Sequence, residues 1–315
     1  MHFDLTDDQR ALAAGVRELC GGRFPIGHVQ SLEARGGFDP QGFQALADAG
    51  VFTLRTPEAQ GGVGLGMTEA VLVFAELGRA LVPGPLIGTH LAAGYVDAGA
   101  VAVLSRQDEP VLLEHPDVVE EVLVKLPDGL WAVARADIEA RVVERPLDPL
   151  TPIALVTHLG EGRQVGDPAT AHQFVSQGTA LASALLLGIA EALTEQATAH
   201  AKTREQFGRP IGAFQAVKHL LADMVVRTEV ARAAVHSAGV HLDGRASGDG
   251  EAAVRTAKIL AGESALLNGK SAVQVHGGMG FTWEVPVHLY LKRAAVLAQS
   301  FGSADAHAEA LASAL

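Results

Sequence analysis

The 315-residue sequence predicts a mainly α-helical protein with a small β-domain in its middle. Three observations carry this. Apolar residues recur at helical spacing through the first hundred residues and again from about 176 to the end. Between about 101 and 175 the pattern breaks into short apolar runs separated by proline, glycine and charges. A hydrophobic content of 48% with only 5% aromatic residues indicates an Ala/Leu/Val-rich interior, as closely packed helices have. The expected division is an N-terminal helical domain over 1–100, a reduced β-domain over 101–175 and a C-terminal four-helix bundle over 176–315.

Taken in order, Thr6 and Gln9 form a capping box for a first helix with a buried stripe of Leu12, Val16 and Leu19, ended by Gly21 and Gly22. Asp39 and Pro40 suit the N-cap and first turn of a second, running through Phe43, Leu46 and Ala47 to Gly50. The glycine-rich stretch 61–66 is a loop. It lacks the third glycine of a dinucleotide fingerprint, Met67 standing there, and follows no clear strand. A third helix spans about 68–81, closed by Pro83 and Pro85, and a fourth includes Leu91 and Tyr95 and reaches about Ala98. Five or so short strands follow, at 101–104, 111–113, 122–124, 130–134 and 153–156. Helices are then expected over 176–202, 213–242, 250–276, 287–298 and 304–315, with a turn at 246–250 and no internal repeat.

Bulk properties exclude several classes of function. A formal charge of −12 argues against nucleic acid or anionic membrane as a general partner. Cys20 is the single cysteine, so no intrachain disulfide forms and a reducing compartment is expected. No secretory leader pattern opens the chain and no run reaches membrane-spanning length, so a cytoplasmic location is expected. The 13 histidines show no metal-ligand spacing, and no G-x-S-x-G elbow occurs.

Chemistry concentrates at residues 203–215, a break between two helical patterns: Leu181, Leu185, Ile189, Ala192 and Leu193 before it, and Val217, Leu220, Leu221, Met224, Val225 and Thr228 after it. Gly208 can end a helix in the left-handed conformation and Pro210 stops its continuation. The corner presents Arg204, Gln206 and Phe207 together: a guanidinium fork, an amide and an aromatic edge, which suit a phosphorylated, flat-ringed ligand. An ordinary helix–helix turn with a solvated arginine fits the same residues.

Arg204, Phe207, Gly208, Ile211, Phe214 and Gln215 resemble the R-x-x-F-G-x-x-I-x-x-F-Q motif of the acyl-CoA dehydrogenase family. Gln274, Gly277, Gly278, Gly280, Phe281, Glu284 and Pro286 are similar to its Q-x-x-G-G-x-G-(F/Y)-x-x-E-x-P. A third block comprises Pro57 to Gly66 and then Ala75 to Leu81. The three occur in the family's order and bracket most of the chain.

The resemblance implies α,β-dehydrogenation of an acyl-CoA thioester with FAD as hydride acceptor and electron-transfer flavoprotein as onward acceptor. In relatives the flavin lies across a subunit interface, and the half given by the neighbouring chain corresponds here to Arg204, Gln206, Phe207, Ile211, Gln215, Gln274, Gly277 and Gly278. The half given by the chain itself is missing: there is no (T/S)-E-P-x-x-G-S-D tract, the middle segment is short, and the usual base positions fall on Phe301 and Gly178, which accept no proton. The resemblance is therefore to the shortened subunit of heteromeric acyl-CoA dehydrogenases, some acting on steroid side chains, with a full-length paralogue as partner in an α2β2 assembly. Two alternatives are a self-sufficient homo-oligomer with a relocated base, at Asp305 or Glu309, and a flavin-free structural or regulatory bundle. Glu191 and Glu195 are expected to be solvent-facing or at the bundle edge, His276 a satisfied bundle histidine, and His219 with Asp223 a helix-face pair.

Overall fold

Capping chemistry sets where the N-terminal helices begin. In the computed structural model, which describes residues 4–104 and 111–314, the Thr6 hydroxyl accepts from the Gln9 N–H at 3.1 Å. The Gln9 side chain in turn accepts from the Thr6 N–H at 3.0 Å, opening α1 (Asp7–Arg23). Gly21 and Gly22 do not end it: both are helical and exposed, with no neighbour that would meet a side chain there. After α2 (Ile26–Ser31), Asp39 accepts from the Gln41 N–H and Pro40 stands at the first position of α3 (Pro40–Asp48). The next helices are α4 (Met67–Arg79) and α5 (Leu86–Ala92), which stops before the expected Ala98.

Among the described residues seven strands occupy the middle, two more than the apolar runs show. A four-stranded sheet holds β1 (Val101–Leu104), β3 (Glu121–Leu126), β4 (Gly129–Ala134) and β7 (Arg163–Gly166) in that order, with β1 parallel to β3 and the rest antiparallel. An antiparallel three-stranded sheet has the order β2 (Leu112–Glu114), β6 (Ile153–His158), β5 (Glu139–Val142). The strands missing from the sequence pattern, β5 and β7, are both edges and mostly exposed, so they carry little apolar signal. Ala102, Leu104, Leu113, Val119, Val122, Val124, Val133 and Ile138 make a small core of their own here, apart from the main one.

Asp167 caps α6 (Pro168–Thr203), whose first turn carries Pro168, so this helix starts eight residues before the expected 176. With α7 (Gln215–Leu242), α8 (Gly250–His276) and α9 (Val287–Leu297) it forms the bundle, and α10 (Ala304–Ser313) packs on α8. The result is the mainly helical protein with a middle β-region and a C-terminal bundle that the sequence predicts. Leu315, part of the expected last helix, lies outside the described residues. Among those residues α6 alone is long and apolar enough to cross a membrane, contrary to the expectation of none. Protein covers 89% of its apolar window, so it is the central helix of the core.

Two glycines allow α4 to press against α6. A Cβ at Gly78 would lie 2.1 Å from the Leu185 carbonyl oxygen, and one at Gly188 would lie 1.8 Å from that of Ala75. Around this crossing Glu191 is buried and held between Arg79 and Arg232. Glu191 is therefore not solvent-facing; burial raises its pKa and the two arginines oppose the rise. Glu195 is exposed, as expected, and pairs with Arg79.

Candidate functional site

The corner is built by a helix end followed by a tight hairpin. α6 stops at Thr203 and Arg204 is extended, its N–H donating to His200 O at 2.8 Å. Glu205–Gln206 (β8) then pairs with Arg209–Pro210 (β9) around Phe207 and Gly208, at φ +53° and +75°. Positive φ at both central residues is type I′ hairpin geometry. The left-handed Gly208 therefore turns a hairpin rather than ending the helix. An aromatic residue at positive φ is strained and persists where its surroundings hold it there. Phe207 is nonetheless 91% exposed, touching Phe214 edge-on at 6.1 Å, while the Arg209 guanidinium lies 4.2 Å over the same Phe214 ring.

The other predicted residues gather about this hairpin. Ile211 is half-buried against the core and its N–H donates to Arg204 O at 2.8 Å. Gln215 is the exposed first residue of α7, and the Gln206 amide donates to the Glu205 carbonyl at 2.8 Å. Arg204 is exposed, and among the described residues its guanidinium makes no hydrogen bond or ion pair. The diglycine block sits alongside, because His276 stacks on His200 with ring centres 4.1 Å apart. Burial holds the His200 pKa below its usual value, and the proximity of His276 and Arg204 lowers it further. His276 Nδ1 bonds to Ala272 O at 2.8 Å, so this histidine is satisfied within the bundle.

Gln274 is exposed on the last turn of α8, and Gly277 caps it at φ +62°. Neither Gly277 nor Gly278 has an atom within 4 Å of where a side chain would start, so their backbone lies open to a ligand. Beyond them Phe281 is 73% and Trp283 52% exposed. This face thus presents an uncommitted guanidinium, open backbone and the exposed Phe281 ring, while the Trp283 ring is packed against His288 and Lys292. That chemistry suits an anionic, flat-ringed molecule. His219 and Asp223 are exposed on α7, with no bond between them among the described residues; Val225, expected in the buried stripe, is 46% exposed.

Phe301 and Gly178, onto which the family resemblance places the usual base, lie elsewhere, against each other. A Cβ on Gly178 would fall 2.1 Å from the Phe301 ring, which fills the space above that helix. Phe301 is buried, at φ +58°, and its carbonyl bonds to His307 Nε2 at 3.0 Å. Asp305 and Glu309 are exposed on α10 and are not among the residues lining either cavity beside Phe301. Gly178 and Thr203 share one helix, and a rise of about 1.5 Å per residue puts the corner roughly 38 Å from Gly178.

One acid next to Phe301 has no signal in the sequence. A cavity of about 470 Å³ opens between α5, β1, β2 and the segment 293–301, lined chiefly by apolar side chains and by Glu114, His115, Arg293 and Ser300. Ser300 Oγ donates to Glu114 Oε1 at 3.3 Å. Glu114 keeps some accessible surface, which is the wall of the cavity; protein otherwise surrounds it, and burial raises its pKa against the pull of Arg293. Arg293 is buried, paired with Asp148, and donates to Val82 O and Leu150 O at 3.1 and 3.2 Å, tying α9 to both neighbouring regions. Nothing local marks Glu114, since its neighbour Ser300 lies 186 residues along the chain.

Comparison with known proteins agrees with these elements. The acyl-CoA dehydrogenase N-terminal and C-terminal domain families match residues 6–100 and 169–315. The acyl-CoA dehydrogenase IpdE2 of Mycolicibacterium smegmatis is 33% identical over 287 residues, 86% of this chain and 87% of that protein. The acyl-CoA dehydrogenase FadE34 of Mycobacterium tuberculosis is 34% identical over 281 residues, 80% of this chain and 39% of that one. Among solved structures, the Tcur3481–Tcur3483 steroid ACAD G363A variant superposes with a TM-score of 0.87 at 23% identity, over 98% of this chain and 97% of that one. The ChsE4–ChsE5 complex from Mycobacterium tuberculosis gives 0.86 at 23%, over 99% and 98%. At such identities the structures establish the fold, while the sequence relatives and the two domain matches establish that the chain belongs to the acyl-CoA dehydrogenase family.

Proposed function

We propose that this chain is a subunit of an FAD-dependent acyl-CoA dehydrogenase, and that its exposed corner completes the flavin site of a full-length, base-bearing partner. The observation that carries this is the separation of the corner from the Phe301–Gly178 contact by most of the length of α6. A flavin nucleotide held at the corner does not span that distance, so the corner serves a reacting centre in another chain. The residues fit such a group: Arg204 would pair with its diphosphate, Phe207 would pack beside its rings, and Gln274, Gly277 and Gly278 would line the adenosine part through open backbone. Gln206, Ile211 and Gln215 would hold the hairpin and its flank in register. Bound flavin supplies hydride acceptance, with electron-transfer flavoprotein as the onward acceptor. The solved pairs Tcur3481–Tcur3483, named a steroid ACAD, and ChsE4–ChsE5, named a complex, support a two-component assembly and a bulky acyl group; an α2β2 arrangement in the cytoplasm is part of the same proposal.

The test is co-expression with a full-length relative, followed by gel filtration and flavin absorbance. FAD is expected to stay with the complex and to be lost from this chain purified alone. Stoichiometric FAD on the isolated chain, with dehydrogenase activity, would refute the proposal.

A further inference from the structure

The family's base positions are closed by Phe301 and Gly178, yet a carboxyl group stands one hydrogen bond away from the same turn. We propose that Glu114 is a proton acceptor for an acyl thioester bound in this chain's own cavity, taking the place of the lost glutamate. That the occupant is an acyl thioester rests on the dehydrogenase reading above; the location and role of Glu114 rest on the cavity.

Four features support it. Glu114 is the one carboxylate lining the cavity among the described residues, whereas Asp305 and Glu309 line none. The walls around it are apolar: Leu86, Ile87, Leu185, Val296, Leu297 and Phe301 would cover an acyl chain and exclude water. Its position is fixed from both sides, by strand pairing of Glu114 with Ile153 and by the Ser300 hydroxyl. Finally, its surroundings favour uptake of a proton. Burial raises its pKa, as a group exchanging protons with carbon requires, and Arg293 on the cavity wall opposes the rise. Its neighbour His115, at φ +50° with Nδ1 unpartnered, is held neutral, its pKa pushed down to about 3 by burial and by Arg293.

The step is a proton transfer alone. The α-C–H bond breaks, an O–H bond forms on the Glu114 carboxylate, and the electron pair moves into the thioester as an enolate. Return of a proton from Glu114, after exchange with water, restores the thioester. No oxidant is consumed, so this chain can be tested without flavin.

The probe is 3-oxooctanoyl-CoA, whose α-protons lie between two carbonyl groups, incubated with the purified chain in D2O. Deuterium uptake at the α-carbon is followed by mass spectrometry and corrected for the buffer rate. The wild-type chain is expected to accelerate uptake, and Glu114→Gln to lose about 100-fold or more of that acceleration, the size of a general-base effect. Glu114→Asp should retain part of it, while Asp305→Asn and Glu309→Gln stay at the wild-type rate. Leu185→Trp, which fills the cavity, should abolish it, with unfolding midpoints confirming that every variant folds. Exchange by Glu114→Gln at the wild-type rate, or no acceleration by the wild-type chain, overturns the proposal. FAD retention by the complex is a separate measurement, so failure of the two-chain reading and failure of Glu114 are told apart.

Discussion

At the scale of single residues, the contact between Phe301 and Gly178 binds two positions into one. Gly178 sits inside α6, where alanine would ordinarily stabilise the helix by roughly 0.5–1 kcal/mol. Here the added methyl would meet the buried Phe301 ring at 2.1 Å, and overpacking wins. Gly178→Ala is expected to destabilise by about 1–3 kcal/mol in urea unfolding. In a Phe301→Ala background the same change should become neutral or favourable, and additive effects would contradict the contact. A second residue makes a pH prediction. Lys258 is buried on α8, donates to the Leu297 and Ala298 carbonyls at 2.7 and 3.1 Å, and has its pKa lowered to about 7 by burial. Unfolded, it titrates near about 10.4. Between those values the unfolded chain binds a proton that the folded one does not, so stability should rise with pH from about 7 to about 10, the burial penalty being fully present below 7. Lys258→Met should flatten that slope, read from denaturation midpoints across the range; an unchanged slope would contradict a low folded pKa.

At the scale of elements, the N-terminal helices are fastened to the bundle by a cap supplied from a distance. The residue before α4 is Gly66, which has no side chain to cap it, and Asp243 at the end of α7 accepts from Met67 N, Thr68 N and Thr68 Oγ1 at 2.7, 2.9 and 2.6 Å. A Cβ at Gly66 would lie 2.5 Å from that carboxylate, which explains the last glycine of the 61–66 stretch. Asp243→Ala should cost about 1–2 kcal/mol, as loss of a helix cap does. Gly66→Ala should cost a similar amount and add little to Asp243→Ala, which thermal unfolding of the double variant checks. Local signals were enough to place many elements: the Thr6–Gln9 box, the Asp39–Pro40 start and α8 from Gly250 to His276 follow from caps and periodicity. Local signals fail where the cause is tertiary. Edge strands β5 and β7 bury too little to show a pattern, Gly21 and Gly22 are carried through by the helix around them, and the Gly66 cap comes from residue 243.

At the scale of the whole molecule, the arrangement is two-ended. One end of α6 carries the hairpin, Arg204 and the open glycines; farther back the helix passes Gly178, Leu185 and the cavity. The composition of the corner end is legible, because the corner and diglycine blocks are each contiguous in sequence. Their juxtaposition through the His200–His276 stack was not, and neither was Glu114 beside Ser300, since each joins segments far apart in the chain. The acidic chain, with a formal charge of −12, attracts an anionic nucleotide only through local charge, which places weight on Arg204. Loss of hydrogen bonds from a charged donor costs about 1.5–3 kcal/mol, roughly a 10- to 100-fold change in affinity. The most direct test is therefore the FAD-to-polypeptide ratio of the two-chain complex carrying Arg204→Ala here and an unaltered partner. A fall in retained FAD, with the complex still assembled, is the predicted result; FAD retained at the wild-type ratio would contradict the assignment of this corner to the partner's flavin site.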